Sequence, residues 1–226
     1  MVSGSIKKAY DRSVKGYVYI TDQNSKLQLP QDTRRQELYL IQPFLNLQVK
    51  VLDKRQFHLE VGFTDQENAK KRLIFYGSQP YAYSKDNIAR QAMHARVPSS
   101  MILEGVWLNL QFDIQNFVEC CFDQSNFRSI DSINVNGSCL VRKIFTCKNQ
   151  IPDSFPFVIE REFGQEAAQN YEDYVASKAK QGNDQVTPIK SDLDFVSGVD
   201  HMNQVMSFDR LTYFGYIYEE AGLLAA

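Results

Sequence analysis

Hydrophobic and polar residues alternate in several short stretches of the chain. Val106, Leu108, Leu110 and Phe112 are separated by Trp107, Asn109 and Gln111. Successive side chains of a strand point to opposite faces, so this spacing predicts a half-buried strand. Leu45, Leu47, Val49 and Val51 alternate in the same way with Asn46, Gln48 and Lys50. After Asp53-Lys54-Arg55-Gln56 the alternation resumes at Phe57, Leu59, Val61 and Phe63, against His58, Glu60, Gly62 and Thr64. Two such runs joined by a short polar turn predict a hairpin with one dry face. Asp113 is placed to cap a short helix with Ile114, Phe117 and Val118 on one side. Ile130, Ile133 and Val135 then lead through Asn136-Gly137 to the apolar run Leu140–Phe145. Asn-Gly between apolar runs predicts a second hairpin, because both residues tolerate positive φ.

Around this block the signals are shorter. Residues 1–16 read as a leader into a first strand at Tyr17–Thr21, and Asp22–Ser25 as a turn. Leu27–Leu29 is extended and ends at Pro30, which cannot donate to a central ladder. Arg72–Tyr76 and Ala92–Val97 are further strands, separated by a loop over Gly77–Asn87. Six or more closely spaced strands with one short helix among them predict a β-sandwich, with a closed barrel as the rival. The composition changes near Ile151-Pro152, which divides the chain into a sandwich domain, 1–152, and an extension, 153–226. Glu166–Lys180 carries Ala167, Tyr171, Tyr174 and Val175 at helical spacing, with acidic residues early, lysines late and Gly182 following. That order suits the helix dipole and a glycine cap. Residues 181–195 read as a polar linker. Phe208–Leu224 is dense in aromatics (Tyr213, Phe214, Tyr216, Tyr218), whose spacing fits a helix face or a strand. They either close an edge of the sandwich or dock on a partner.

At 226 residues, the chain has room for one all-β domain and an appendage. Its 43% hydrophobic content supports a sizeable core and argues against wholesale disorder. A net charge of −2 argues against a polybasic nucleic-acid surface while leaving room for local patches. The polar, basic N-terminus does not read as a secretory signal, and no apolar run is long enough to span a bilayer. Cys120, Cys121, Cys139 and Cys147 contain no Cys-x-x-Cys and read as reduced, buried thiols. No phosphate-binding glycine loop, nucleophile elbow or metal-ligand spacing occurs, so neither cofactor nor catalytic residue is expected. His58 falls on the outward face of its strand, as a solvated histidine would. Asn136-Gly137-Ser138 matches a glycosylation sequon, but reads as a turn. Two basic clusters, Lys70-Lys71-Arg72 and Arg142-Lys143, are either solvated strand ends or contacts to an acidic partner.

The block Gly105–Asp113, Phe117 beyond it, Ile130–Val135 and Ser138–Phe145 resembles the cilia- and flagella-associated protein twenty domain family. The longer, "domain-containing" relatives share the style of Lys26–Pro30, Leu40–Leu45 and Lys71–Leu73, and the likeness runs from about Val14 to Pro152. The resemblance implies a jelly-roll-like β-sandwich with no enzymatic activity; with the residue patterns above, the expected fold is mostly β and antiparallel, with one short inserted helix and a C-terminal helical extension that lies outside the family core. The family's founding member is a structural protein at the inner junction of the ciliary doublet microtubule, where it contacts tubulin and neighbouring junction proteins. A similar role here would be axonemal, with the basal body as a second location. The implied partners are tubulin or microtubules and other axonemal proteins, with no nucleic acid and no membrane. Lys70, Lys71, Arg72, Arg142 and Lys143 would face the acidic surface of tubulin, and Tyr213, Phe214, Tyr216 and Tyr218 would tether a neighbour. One departure from the family is the lack of a Phe-rich strand segment with a Trp ahead of the Val14 region. Either the sequence starts short of that strand, or the sandwich lacks it, or a partner supplies one at an open edge. The alternative function is a cytosolic or nuclear ligand-binding or adaptor sandwich, similar to carbohydrate-binding modules, with Trp107 or Tyr81 and Tyr83 stacking on a sugar. A hydrolase on this scaffold is a third, weaker option.

Overall fold

A computed structural model describes residues 6–77, 89–99, 101–154, 160, 164–179 and 201–208. Among these residues the strands are β1 (Lys7–Asp11), β2 (Gly16–Thr21), β3 (Lys26–Leu29), β4 (Phe44–Val51), β5 (His58–Asp65) and β6 (Lys70–Tyr76). They continue as β7 (Ala89–Gln91), β8 (His94–Pro98), β9 (Trp107–Asp113), β10 (Phe127–Asn136), β11 (Cys139–Cys147) and β12 (His201–Met206). The helices are α1 (Ile114–Cys121) and α2 (Gln165–Ala179).

The strands form two six-stranded sheets. Sheet I runs β1-β2-β11-β4-β9-β12 and sheet II runs β3-β10-β5-β6-β8-β7. Neighbours are antiparallel except for β12 beside β9 and β8 beside β6, which run parallel. The predicted sandwich is therefore the fold. Leu45, Leu47, Val49 and Val51 of sheet I and Leu59, Val61, Leu73 and Phe75 of sheet II are fully buried in one core. The helix α1 closes one end of it. Asp113 accepts from Asn116 N (3.0 Å) as the N-cap, and Phe117 sets its ring edge-on to Phe75 at 4.8 Å. Phe112 lies 4.6 Å from the same Phe75 ring. Such aromatic pairs add about 0.5–1.5 kcal/mol each beyond their buried area.

Two predicted hairpins are not hairpins. β4 lies in sheet I and β5 in sheet II, and β10 and β11 are divided in the same way. Each connection arches over the end of the core instead of folding a strand back on its neighbour. Alternation reports one dry face, and a strand shows one whether its successor lies beside it or across the core. The two arches stack: β10 pairs with β5 and β11 with β4. Gly137 (φ +93°) sits at the crossing, where an added Cβ would lie 2.0 Å from Gln56 O. Only glycine fits both that backbone conformation and that approach.

Strand β9 is likewise not half-buried, because Trp107 through Phe112 are all buried. Its outward face carries a network of amides. Gln111 Nε2 donates to Asn46 Oδ1 (2.8 Å), Asn109 Nδ2 to Asn203 Oδ1 (2.9 Å), and Ile151 N to Gln111 Oε1 (3.0 Å). The chain around Ile151 lies over this face with Val205 and Phe145. Residues 7–11, expected as leader, form a strand paired in register with β2. The expected helix in the extension is α2, and its Ala168 and Tyr171 join the main core together with Met206 and Phe208.

Candidate partner-binding surface

The basic run on β6 is held by carboxylates of the same chain. Leu73 and Phe75 point into the core, so Arg72 and Lys70 face outward and Lys71 faces inward at the strand's end. Lys70 Nζ contacts Glu37 Oε1, and Arg72 lies 3.5 Å from Glu60 Oε1. Lys71 is mostly buried, 2.8 Å from Asp65 Oδ2, and its ammonium also donates to Ser125 Oγ and sits 5.6 Å from the centre of the Phe122 ring. Asp65 accepts two further bonds, from Ala69 N (2.8 Å) and Glu67 N (3.0 Å). Burial pushes the Asp65 carboxyl upward, and the Lys71 bond and the backbone N–H groups outweigh it, holding the group below the usual carboxylate range. The three cations thus stand at the edge of the core with their charges matched nearby.

Arg142 and Lys143 lie on β11 in the other sheet, so the structure does not gather the two basic clusters on one surface. A bulge between Val141 and Lys143 interrupts the β11–β4 register. It lets Arg142 reach Gln48 Oε1 at 2.6 Å while Lys143, opposite Gln48, stays exposed. Tyr213, Phe214, Tyr216 and Tyr218 lie outside the described residues, as do Tyr81 and Tyr83.

Trp107 is 3% exposed and donates from Nε1 to Ser13 Oγ (3.0 Å), with Val14, Val18 and Leu140 packed against it. It offers no platform to a sugar. A groove of about 760 Å³ opens between the start of β4, α1 and residues 148–150. Its charged groups are Asp113, Glu119 and Lys148, of which Asp113 already caps α1. His58 is half-buried rather than solvated, and desolvation lowers its pKa. Among the described residues no group of three or more His, Cys, Asp or Glu is arranged to hold a metal ion. The four cysteines are thiols, not joined in disulfides, with Cys121 and Cys139 within the core.

One surface has no counterpart in the candidates picked from sequence. Tyr10, Tyr17 and Tyr19 on the β1–β2 hairpin are 57%, 60% and 39% exposed. Tyr10 and Tyr17 stack edge-on at 5.6 Å, and Lys8 Nζ lies 4.7 Å above the Tyr17 ring. The three tyrosines are visible in the sequence. Their common exposure follows only from the hairpin reaching past the core, which alternation does not report.

The sequence matches the family model of the CFA20 domain over residues 1–156. The chain belongs to the CFA20 domain family. This is a cilia- and flagella-associated family with no known catalytic activity. The matched residues include β1 through β11 and α1, and so the greater part of both sheets. They stop short of α2 and β12, yet β12 supplies the sixth strand of sheet I. The CFA20 fold of this chain is thus extended by a strand that returns from its C-terminal region.

Proposed function

We propose that the chain is a non-catalytic structural protein of the ciliary or flagellar axoneme that binds microtubules and neighbouring axonemal proteins. The position at or near the doublet's inner junction is part of this proposal. The observation that carries it is the CFA20 domain match over residues 1–156. The fold supports the reading physically. A doubly layered sheet with a closely packed core offers a rigid surface whose shape survives mechanical load. Its exposed cations, Lys143 among them, suit an acidic lattice such as tubulin. Lys70, Lys71 and Arg72 are less available, being matched by Glu37, Asp65 and Glu60.

Co-sedimentation of the full chain with stabilised microtubules tests the proposal. The chain enters the pellet at low salt, less of it does so as ionic strength rises, and Lys143→Glu weakens retention more than Lys70→Glu does. A chain that stays in the supernatant at every salt concentration removes direct microtubule binding from the account.

A further inference from the structure

The β1–β2 hairpin combines three features that point to a ligand of one chemistry. The first is an open edge. β1 ends sheet I, and among the described residues its strand neighbour is β2 alone. Alternate N–H and C=O groups on its far side are therefore left for another strand.

The second feature is an aromatic face. Tyr19 pairs in register with Val141, which points into the core, and Thr21 on the same face is buried against Cys139. Lys8 is opposite Tyr19, and Tyr10 is opposite Tyr17. Directly paired residues share a face. The core-side face of the sheet therefore runs on beyond the core as tyrosine and lysine, exposed where the opposing sheet no longer covers it.

The third feature is charge. Lys7, Lys8, Arg12 and Lys15 are exposed on the hairpin, and half-buried Lys50 and exposed Lys143 lie on the neighbouring strands of the sheet. None of these six forms an ion pair within 4 Å among the described residues, unlike the cations of β6, although Lys50 and Lys7 lie near enough to Asp11 and Asp22 to act on their charge. The hairpin's own carboxylate, Asp11, is occupied by Ser13 N (2.7 Å) and Ser13 Oγ (2.5 Å). Asp22 beyond it is bonded to Asn24 N (2.8 Å) and Ser25 Oγ (2.9 Å).

We infer that the β1–β2 hairpin is a docking site for an acidic polypeptide segment, which adds as an extended strand along the free edge of β1. Its carboxylates meet Lys7, Lys8 and the cations beside them, and its side chains on one face lie against Tyr10 and Tyr17. A second copy of this chain is the poorer fit, because its own β1 brings two lysines and a single carboxylate, Asp11, which Ser13 already holds. Single-stranded nucleic acid would satisfy the cations and the rings but has no peptide groups to pair with the edge. The inference goes beyond the microtubule reading and stands without it, since any extended Glu- or Asp-rich segment has the required chemistry.

The test uses the full chain and a short fluorescent Glu-rich peptide, with a Gln-for-Glu version and a single-stranded oligonucleotide as comparators. The Glu peptide binds, binding weakens with salt, and the Gln version binds at least ~10-fold more weakly. Lys7→Glu with Lys8→Glu lowers affinity at least ~10-fold, while Lys148→Glu at the far end of β11 leaves it unchanged. Both lysines are exposed, so unfolding midpoints of the variant and the parent should agree. Hydrogen exchange supplies the second readout: amides of Lys7–Asp11 gain protection when the peptide is present. No binding, an oligonucleotide bound as tightly as the peptide, or binding without protection of β1 overturns the inference. A chain that binds the peptide and ignores microtubules keeps this site and loses the microtubule reading. Sedimentation with microtubules but no peptide binding does the reverse.

Discussion

Replacing Lys71 by Met separates the account of β6 from the view that its basic run is a contact surface. In the native chain the side chains of Asp65 and Lys71 are 1% and 14% exposed, with their charged atoms 2.8 Å apart. Removing one member of a buried pair strands the other, typically at a cost of about 3–5 kcal/mol. Asp65 keeps its bonds from Ala69 N and Glu67 N, which places the expected loss at the low end, about 3 kcal/mol. That is a large share of the roughly 5–15 kcal/mol that holds a domain folded. Urea unfolding followed by fluorescence of buried Trp107 measures it. Adding Asp65→Asn to Lys71→Met should recover most of the loss, because no unpaired charge then remains. The pH dependence gives an independent arm. The folded-state pKa of Asp65 is depressed, so its contribution is full above the ordinary carboxylate pKa near ~3.9. It is lost as pH falls through the lower, folded value, and Asp65→Asn should reduce that acid limb. A Lys71→Met variant less than ~1 kcal/mol weaker than the parent would place the pair among solvated surface ion pairs and refute the reasoning.

Other positions give sharper or simpler readouts. Gly137→Ala meets both a positive φ and the Gln56 carbonyl, so a loss of at least ~3 kcal/mol or failure to fold is expected, by thermal denaturation of the soluble fraction. Burial pushes the Cys139 thiol up to about 11, against a smaller opposing effect of the Thr21 hydroxyl. Its contribution is full below the ordinary thiol pKa of about 8.5 and is lost as pH rises toward the folded value, so Cys139→Ala should flatten the alkaline limb of stability. A chain ending at residue 156 lacks β12 and α2, leaving the far edge of β9 open and removing Met206, Phe208 and Tyr171 from the core. Light scattering should show it associating more strongly than the full chain does at the same concentration. A monomeric product with an unchanged unfolding midpoint would argue that the extension is a bystander.

The parts of the fold legible from sequence are those whose side chains sort by face. β4, β5, β10 and β11 each turn alternate apolar residues to the core, so alternation located them closely, although Asn46 and Gln48 on the other face of β4 are buried too. β9 shows the limit of that signal. Asn109 and Gln111 look like solvent-facing residues, but they lie in a hydrogen-bonded amide layer beneath Ile151. β1 carries Lys7, Lys8 and Tyr10 because it stands at an edge beyond the core, where no hydrophobic period is required. β12 pairs in parallel with a strand far away in sequence, which no local pattern encodes. Topology was hidden for a related reason, since an arch and a hairpin demand the same alternation. Of the candidate surface, the charges of Lys70–Arg72 were plain, and their partners were not. Glu37 lies far back in the chain, and Asp65 and Glu60 become neighbours only once β5 pairs with β6.

We propose that this CFA20 chain works as a fixed structural component of the cilium. Detergent extraction of ciliated cells expressing a tagged full-length copy tests it most directly, with the membrane and matrix fraction separated from the axoneme. The account predicts that the chain stays with the axoneme through detergent and leaves it only as salt is raised. Recovery of the chain wholly in the detergent-soluble fraction, with tubulin retained in the axoneme, would contradict it.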